Sequence, residues 1–366
     1  MEVWEKVILS DEAYFENIHG EMNCIGCHGG VSGTDDKEAA HEGMVREPDS
    51  REACDICHVK TRSDATSLHT TLRGYITTLK ARSDTDTWPT VEKAYEAQCT
   101  ECHTTCGQCH VSRPTSLGGG LLAAHAYKKI PPMNLACTGC HGSRVENEYK
   151  GKNEGIPGDT HWTKEGMPCF DCHTAEEMHG TGPDENHRYD GPQRPSCSET
   201  GLGKECHADV KPGDGVEQHD ETHLSAMSCE TCHAVAYKHC YNCHVYESEE
   251  GEPYFKSEPS QLMLKIGRNL RKSPERPWDY VLVRHVPVAR DTFAFYGDDL
   301  LPNFDTRPTW VYATPHNSQR KTPQNESCNA CHGNPEVFLT ADDVASDELE
   351  ANKDVIVTEI PAAVGK

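Results

Sequence analysis

CTECHTTCGQCH, residues 99–110, contains one five-residue pattern twice, Cys-x-x-Cys-His, with only Thr104 and Thr105 between the copies. The pattern recurs as CIGCH (24–28), CDICH (54–58), CTGCH (137–141), CFDCH (169–173), CETCH (229–233), CYNCH (240–244) and CNACH (328–332). These nine copies use all but two of the 20 cysteines. The remaining two, Cys197 and Cys206, bound CSETGLGKECH, where eight residues replace the usual two and His207 still follows the second cysteine.

Cys-x-x-Cys-His is the attachment pattern of c-type haem. Two thiols add to the porphyrin vinyl groups, and the adjacent histidine then falls under the iron as proximal ligand. Zinc is the competing reading, because Cys-x-x-Cys pairs also build zinc ribbons, but those do not require a histidine after every second cysteine. A disulfide framework has no reason to end each pair in histidine. The thioether candidates are Cys24, Cys27, Cys54, Cys57, Cys99, Cys102, Cys106, Cys109, Cys137, Cys140, Cys169, Cys172, Cys229, Cys232, Cys240, Cys243, Cys328 and Cys331. The proximal candidates are His28, His58, His103, His110, His141, His173, His233, His244 and His332. Cys197, Cys206 and His207 read as a tenth site. Gly201 and Gly203 allow the chain to loop out and return, and closing a longer loop costs only about 0.6 kcal/mol per doubling. The alternative there is one thioether and a free Cys197. Ten haem c groups are the cofactor expectation.

Composition agrees with that reading. Only 35% of residues are hydrophobic and mean hydropathy is −0.72, which gives a chain of this length little apolar side chain to bury. Ten porphyrins would supply the missing core. The fold class expected is a multihaem cytochrome c, mostly loops with short α-helices wrapped around a haem chain and little β. The haems would hold it together as structural metals do. Covalent haem attachment takes place outside the cytoplasm, so the location expected is extracytoplasmic, at the cell surface or beyond it. MEVWEKVILSDEAYF lacks the basic start and apolar run of an export signal, so numbering is expected to begin near a mature end. No apolar run reaches the length of a membrane span. A net charge of −24 argues against nucleic acid or an anionic membrane surface as partner. It suits basic proteins, cations or mineral surfaces.

The motifs divide the chain into a haem-rich region, 1–250, with nine attachment sites, and a region 251–366 with the tenth. The long interval between His244 and Cys328 has none. Within it PSQLMLKIGRNLRKS spaces Leu262, Ile266 and Leu270 as a helix would, with Ser260 as cap. DYVLVRHVPV and DTFAFYG read as strands. At the other end SDEAYFENIHG reads as a helix capped by Ser10 and stopped at Gly20. TADDVASDELEANKDVIV opens with a capping box, Thr340 to Asp343, and so polar a tail needs a surface to lie on, a second subunit being one candidate.

Histidine supplies the remaining ligands. Of 22 histidines, ten follow a motif cysteine and twelve do not. Twelve candidates for ten distal positions point to bis-histidine iron. The distal set expected is His19, His41, His69, His125, His161, His179, His187, His223, His285 and His316. His219, four residues from His223, is read as a spare, and His239 is set aside because it directly precedes Cys240. Met44, Met167 and Met227 are alternative ligands better explained by packing. Iron with both axial sites filled by imidazole exchanges electrons but does not bind substrate, so no catalytic residue is assigned.

With these motifs, the chain resembles the large multihaem c-type cytochromes of extracellular electron transfer, a decahaem member by count. CGQCHVSRPTSLGGG, CTGCHGSR and YATPHNSQRKTPQNESCNACHG carry the resemblance. It implies bis-histidine haems in a continuous chain, redox-partner cytochromes and extracellular acceptors. It also implies, in some members, polymerisation of like copies into conductive filaments, the cytochrome nanowires, where a histidine of one subunit ligates a haem of the next. His19, His285 and His316 are the donors expected for such a bond. Two alternatives stand beside the conduit: a reductase of a sulfur or nitrogen oxyanion with an open iron near Cys197 and His207, and a periplasmic shuttle.

Overall fold

The computed structural model describes residues 12–48, 53–100, 104–114, 117–122, 125–190, 195–198, 206–235, 243–257 and 263–365. Ser10, Cys102, His103, Gly201, Gly203, His239, Cys240, Ser260 and Leu262 therefore lie outside the described residues. The chain forms two units that interleave in sequence. Met1–Gly74, Thr100–His141 and Thr174–Pro192 make the first, and Tyr75–Cys99, Gly142–His173 and Gln193–Lys366 the second. Neither coincides with a division at residue 250.

The first unit is built from helices of one or two turns joined by loops. Local polar side chains start them. The Asp36 carboxylate accepts from the Ala39 N–H to open Lys37–Ala40, and Ser67 accepts from Thr70 to open Leu68–Thr71. Each satisfies a donor that a helix start leaves orphaned. The helix expected up to Gly20 is only Glu12–Phe15. Asn17 ends it, because its side-chain oxygen accepts from the His19 N–H and offers the backbone another partner. Among described apolar residues of this unit, Leu72, Met133 and Ala136 are buried, whereas Phe15, Ile18, Met22, Ile25, Val31, Met44, Val45, Ile56, Val59, Ile130 and Leu135 are exposed. Exposed large apolar side chains thus outnumber buried ones among the described residues of this unit.

The second unit has a protein core of its own. Helix Trp88–Gln98 buries Val91, Ala94 and Tyr95, and Gln98 donates to the Tyr246 carbonyl. Strands β1 (Cys243–Glu247) and β2 (Pro253–Ser257) form an antiparallel hairpin with Val245 opposite Phe255. Strands β3 (Lys265–Arg268), β4 (Tyr280–His285) and β5 (Trp310–Tyr312) form an antiparallel sheet in that order. Ile266 faces Leu282 across β3–β4, and both join Leu264, Ala313, Phe338 and Val357 in one cluster. Val281 and Val283 point to the opposite face of β4 and are as fully buried. Burial on both faces explains why the sequence of β4 is a continuous apolar run rather than an alternation.

The strand expected in DYVLVRHVPV is β4, and the Thr340–Asp343 capping box opens a single turn, Ala341–Asp343. Two expectations fail. Ile266 lies in β3 rather than in a helix, and Leu270 is exposed. Pairing with β4 overrides the helical spacing, helped by Gly267, where a Cβ would come within 2.7 Å of the Val283 side chain. DTFAFYG is a series of turns, with Asp291 accepting from Ala294 and Phe293 from Tyr296. The tail packs on its own unit. Val355, Ile356 and Val357 are buried, the Val357 N–H donates to Leu339, and the Val355 carbonyl accepts from Arg268.

Candidate metal centres

Seven motifs share one local shape. From the first cysteine to the histidine the chain makes a single helical turn at 24–28, 106–110, 137–141 and 229–233. At 54–58, 169–173 and 328–332 the histidine N–H donates to the first cysteine's carbonyl, 2.9 Å in each. A helical turn brings residues i and i+3 to one side, so two thiols converge and the histidine follows beside them. Local caps fix several of these turns. Asn23 accepts from Gly26, and Thr105 and Gln108 form a reciprocal capping box.

Eight motif histidines each face one histidine that follows no cysteine. The first unit holds His28 with His125, His58 with His19, His110 with His179 and His141 with His69. The second holds His173 with His316, His207 with His161, His233 with His219 and His332 with His223. Ring centroids lie 6.0 Å apart at the closest, for His19 and His58, and 6.3 Å at the widest, for His173 and His316. A metal bound by two imidazole nitrogens at about 2.0 Å each, with about 1.1 Å more from nitrogen to ring centre, sets the centroids roughly 6.2 Å apart. The rings do not touch. They are spaced for one atom between them, in eight places. This two-imidazole spacing differs from the tetrahedral clusters of zinc ribbons, and among the described residues no three His, Cys, Asp or Glu side chains group as a metal site.

Six of the eight pairs fall into two sets by ring angle, and two lie between them. His19–His58, His173–His316 and His110–His179 are near parallel, at 12°, 19° and 26°. His28–His125, His161–His207 and His69–His141 are near perpendicular, at 77°, 73° and 72°. His223–His332 and His219–His233 lie at 60° and 55°.

Hydrogen bonds hold many of these rings by Nδ1. His28, His110, His233 and His332 bond the carbonyls of Val45, Lys128, Gln319 and Ala362. His19 bonds the Asn17 side chain at 2.9 Å and stacks on Tyr127 at 3.9 Å. His161, His219 and His223 bond the carboxylates of Asp159, Asp214 and Asp220 at 2.8, 2.7 and 2.9 Å. Such anchoring leaves Nε2 as the nitrogen presented to the partner ring, as for metal-ligating histidine generally. His125 differs: its Nδ1 is buried and unpartnered, and its backbone takes φ 64°, a conformation costing a non-glycine residue of order 1–3 kcal/mol. Burial, then the facing imidazole, keeps His19, His125 and His179 below the ordinary histidine range. That favours the neutral ring, the form that binds metal. The Asp159 hydrogen bond pushes His161 the other way.

Neighbouring motifs meet through their thiols. Cys54 is hydrogen-bonded to Cys106, which holds the Cys54 thiol protonated. Cys197 is hydrogen-bonded to Cys229, with the same effect on Cys197. Burial raises Cys109 and Cys331 to about 11.

Seven of the ten histidines expected as distal, His19, His69, His125, His161, His179, His223 and His316, face a motif histidine. His219, read as a spare, faces His233. Its signal in the sequence was Asp214, five residues earlier and bonded to its ring. His285 is held elsewhere. Its Nδ1 bonds the Val286 carbonyl and its Nε2 the Glu348 carboxylate at 3.0 Å, and Thr309 donates to the same carboxylate. Both ring nitrogens of His285 are therefore engaged, and neither faces a motif histidine. His187 stacks on Tyr189 at 4.7 Å. His41 is exposed, with Nδ1 on the Lys37 carbonyl at 2.6 Å. His244 starts from a strand rather than a helical turn and bonds Asp291 through Nε2 at 3.0 Å. His103 and His239 lie outside the described residues. No helix among the described residues is long and apolar enough to cross a membrane. No family model, curated protein or solved structure matches this chain.

Proposed function

We propose that this chain is a multihaem c-type cytochrome that carries electrons through bis-histidine haems, ten in number. The observation that carries the reading is the set of eight histidine pairs, seven joining a Cys-x-x-Cys-His histidine and one joining His207 of the expanded motif to a histidine elsewhere in the chain, at the spacing of a single intervening iron. When bound, haem supplies one-electron exchange at its iron. The chain's part would be to fill the axial positions, orient many of the imidazoles through an Nδ1 partner, and cover the porphyrin with apolar side chains. Ile25 and Ile56, inside their motifs, and Ile18, Met22 and Val59 beside them, are exposed where such a group would lie. His161 opposite His207 favours electron transfer over oxyanion reduction at the expanded motif, because that iron would have both axial ligands.

Two measurements on the exported protein test this together. Intact mass gives ten covalent haems. EPR of the oxidised form gives mostly low-spin ferric signals, in two classes that follow ring angle: rhombic for the near-parallel pairs and highly anisotropic for the near-perpendicular ones. A spectrum dominated by high-spin iron would overturn the bis-histidine assignment. Nine haems with a free thiol at Cys197 would remove the expanded site alone.

Location at the cell surface or beyond, redox-partner cytochromes, extracellular acceptors and assembly of copies into filaments belong to the same proposal. For a bond between copies, His19 and His316 face rings within their own units and His285 is held by Glu348. His41 is the better donor, since it is exposed and tied at Nδ1 like the ligands. Negative-stain microscopy of the wild type and His41→Ala tests this: filaments in the first and dispersed subunits in the second are expected. Filaments persisting in the variant would exclude His41.

A further inference from the structure

Three distal histidines of the second unit rest on carboxylates, whereas the described Nδ1 partners in two pairs of the first unit are neutral. Asp159, Asp214 and Asp220 hold His161, His219 and His223, which face His207, His233 and His332. In the first unit His19 rests on the Asn17 amide oxygen and His28 on a carbonyl, and the Nδ1 of His125 meets no partner. Asn17 and Asp159 are the same device in two charge states. Each lies two residues before its histidine, and one side-chain oxygen accepts from both the histidine backbone N–H and its ring. The distances are 3.0 and 2.9 Å at Asn17 and 2.7 and 2.8 Å at Asp159.

A hydrogen bond from a ligating imidazole to a carboxylate gives the ring imidazolate character and makes it a stronger donor to the metal. A stronger, more anionic ligand stabilises ferric over ferrous iron, since reduction removes the positive charge that it neutralises. Hydrogen bonding around the ligands is one of the protein's levers on haem potential, and a charge-assisted bond is roughly twice as strong as a neutral one. Asp159 is 4% exposed and Asp214 15%, against 49% for Asp220. Water screens the last most, so the effect falls in that order.

Resting on the haem reading above, we infer that Asp159, Asp214 and Asp220 are tuning residues that set the haems at His207, His233 and His332 below those at His28 and His58 in reduction potential. Each iron takes one electron, ferric to ferrous, from an external donor such as dithionite. In a partly reduced molecule, electrons then collect on the haems at His28 and His58. The carboxylates act through their histidines and touch no substrate.

Reciprocal substitutions in the full-length haem-loaded protein test this, read by an EPR-monitored redox titration. Asp214→Asn is expected to shift the reduction equilibrium of the His233 haem about tenfold toward ferrous, 59 mV for a one-electron couple. Asn17→Asp is expected to shift the His58 haem about tenfold the other way. That haem belongs to the near-parallel class, where few signals overlap. Asn17 is exposed, so this variant decides the matter if Asp214→Asn does not fold. Unshifted titrations in variants with the full haem complement would overturn the inference and leave the cytochrome reading intact. Wild-type protein carrying no haem would overturn that reading instead.

Discussion

His125→Met raises the reduction potential of one haem, that at His28, by on the order of 0.1 V, a small part of the roughly 0.8 V that axial ligands span. Thioether ligation favours ferrous iron compared with imidazole. The site is suited to the change: the ring of His125 is held by no Nδ1 bond, so removing it orphans no other group. The left-handed backbone there strains methionine as it strains histidine. Spectroelectrochemical titration should show one step of ten displaced, with a new sulfur-to-iron charge-transfer band. A titration and visible spectrum identical to wild type would mean that His125 is not a ligand.

The other large effect is expected from withholding haem. Chain produced without haem attachment should lose the first unit entirely and keep much of the sheet in 263–357. The first unit buries Leu72, Met133 and Ala136 but exposes a larger set of apolar residues around its motifs, so without a cofactor little opposes its chain entropy of about 1–2 kcal/mol per residue. The sheet has Ile266, Val281, Leu282, Val283, Trp310, Leu339 and Val355 at 2% exposure or less. Asn352 ties β5 in by accepting from the Thr309 and Trp310 N–H groups at 3.1 and 2.9 Å. Hydrogen exchange resolves the two: amides of residues 20–45 exchange freely in the haem-free chain, and those of β4 stay protected. Uniform protection, or uniform loss, would contradict this division of labour.

The motif turns were legible because their pattern is local: two cysteines and a histidine within five residues specify the turn and set the histidine beside the thiols. β4 was legible for the same kind of reason, as a β-branched run. The histidines that face the motif rings were legible only in part, seven of the eight standing in the expected distal set. A lone histidine carries no local mark, and what decides its role is a partner far away in sequence, as His316 is from His173. The marks that do exist are small. Asn17 and Asp159 each stand two residues before a ligand, Asp220 three before His223, and Asp214 five before the histidine set aside as spare. His285 had the right company in sequence but sits at the end of β4, where Glu348 from the tail claims its ring. Ile266 misled because its spacing fits a helix, while the pairing that makes it a strand comes from β4.

The way the pairs cross the sequence also bears on manufacture. If the chain is exported and haem is attached as its residues arrive in order, the pairing imposes a constraint. His28 comes into reach with His19 already present, yet its facing ring is His125, and His19 belongs opposite His58. The nearest available ring is therefore the wrong one, and the right one comes after three further attachment motifs. Early ligation would then have to be reversible, with provisional partners exchanged as later segments appear. Covalent thioethers and exchangeable axial bonds divide that work: the first fix where each haem is, and the second leave its final partner undecided until the chain is complete.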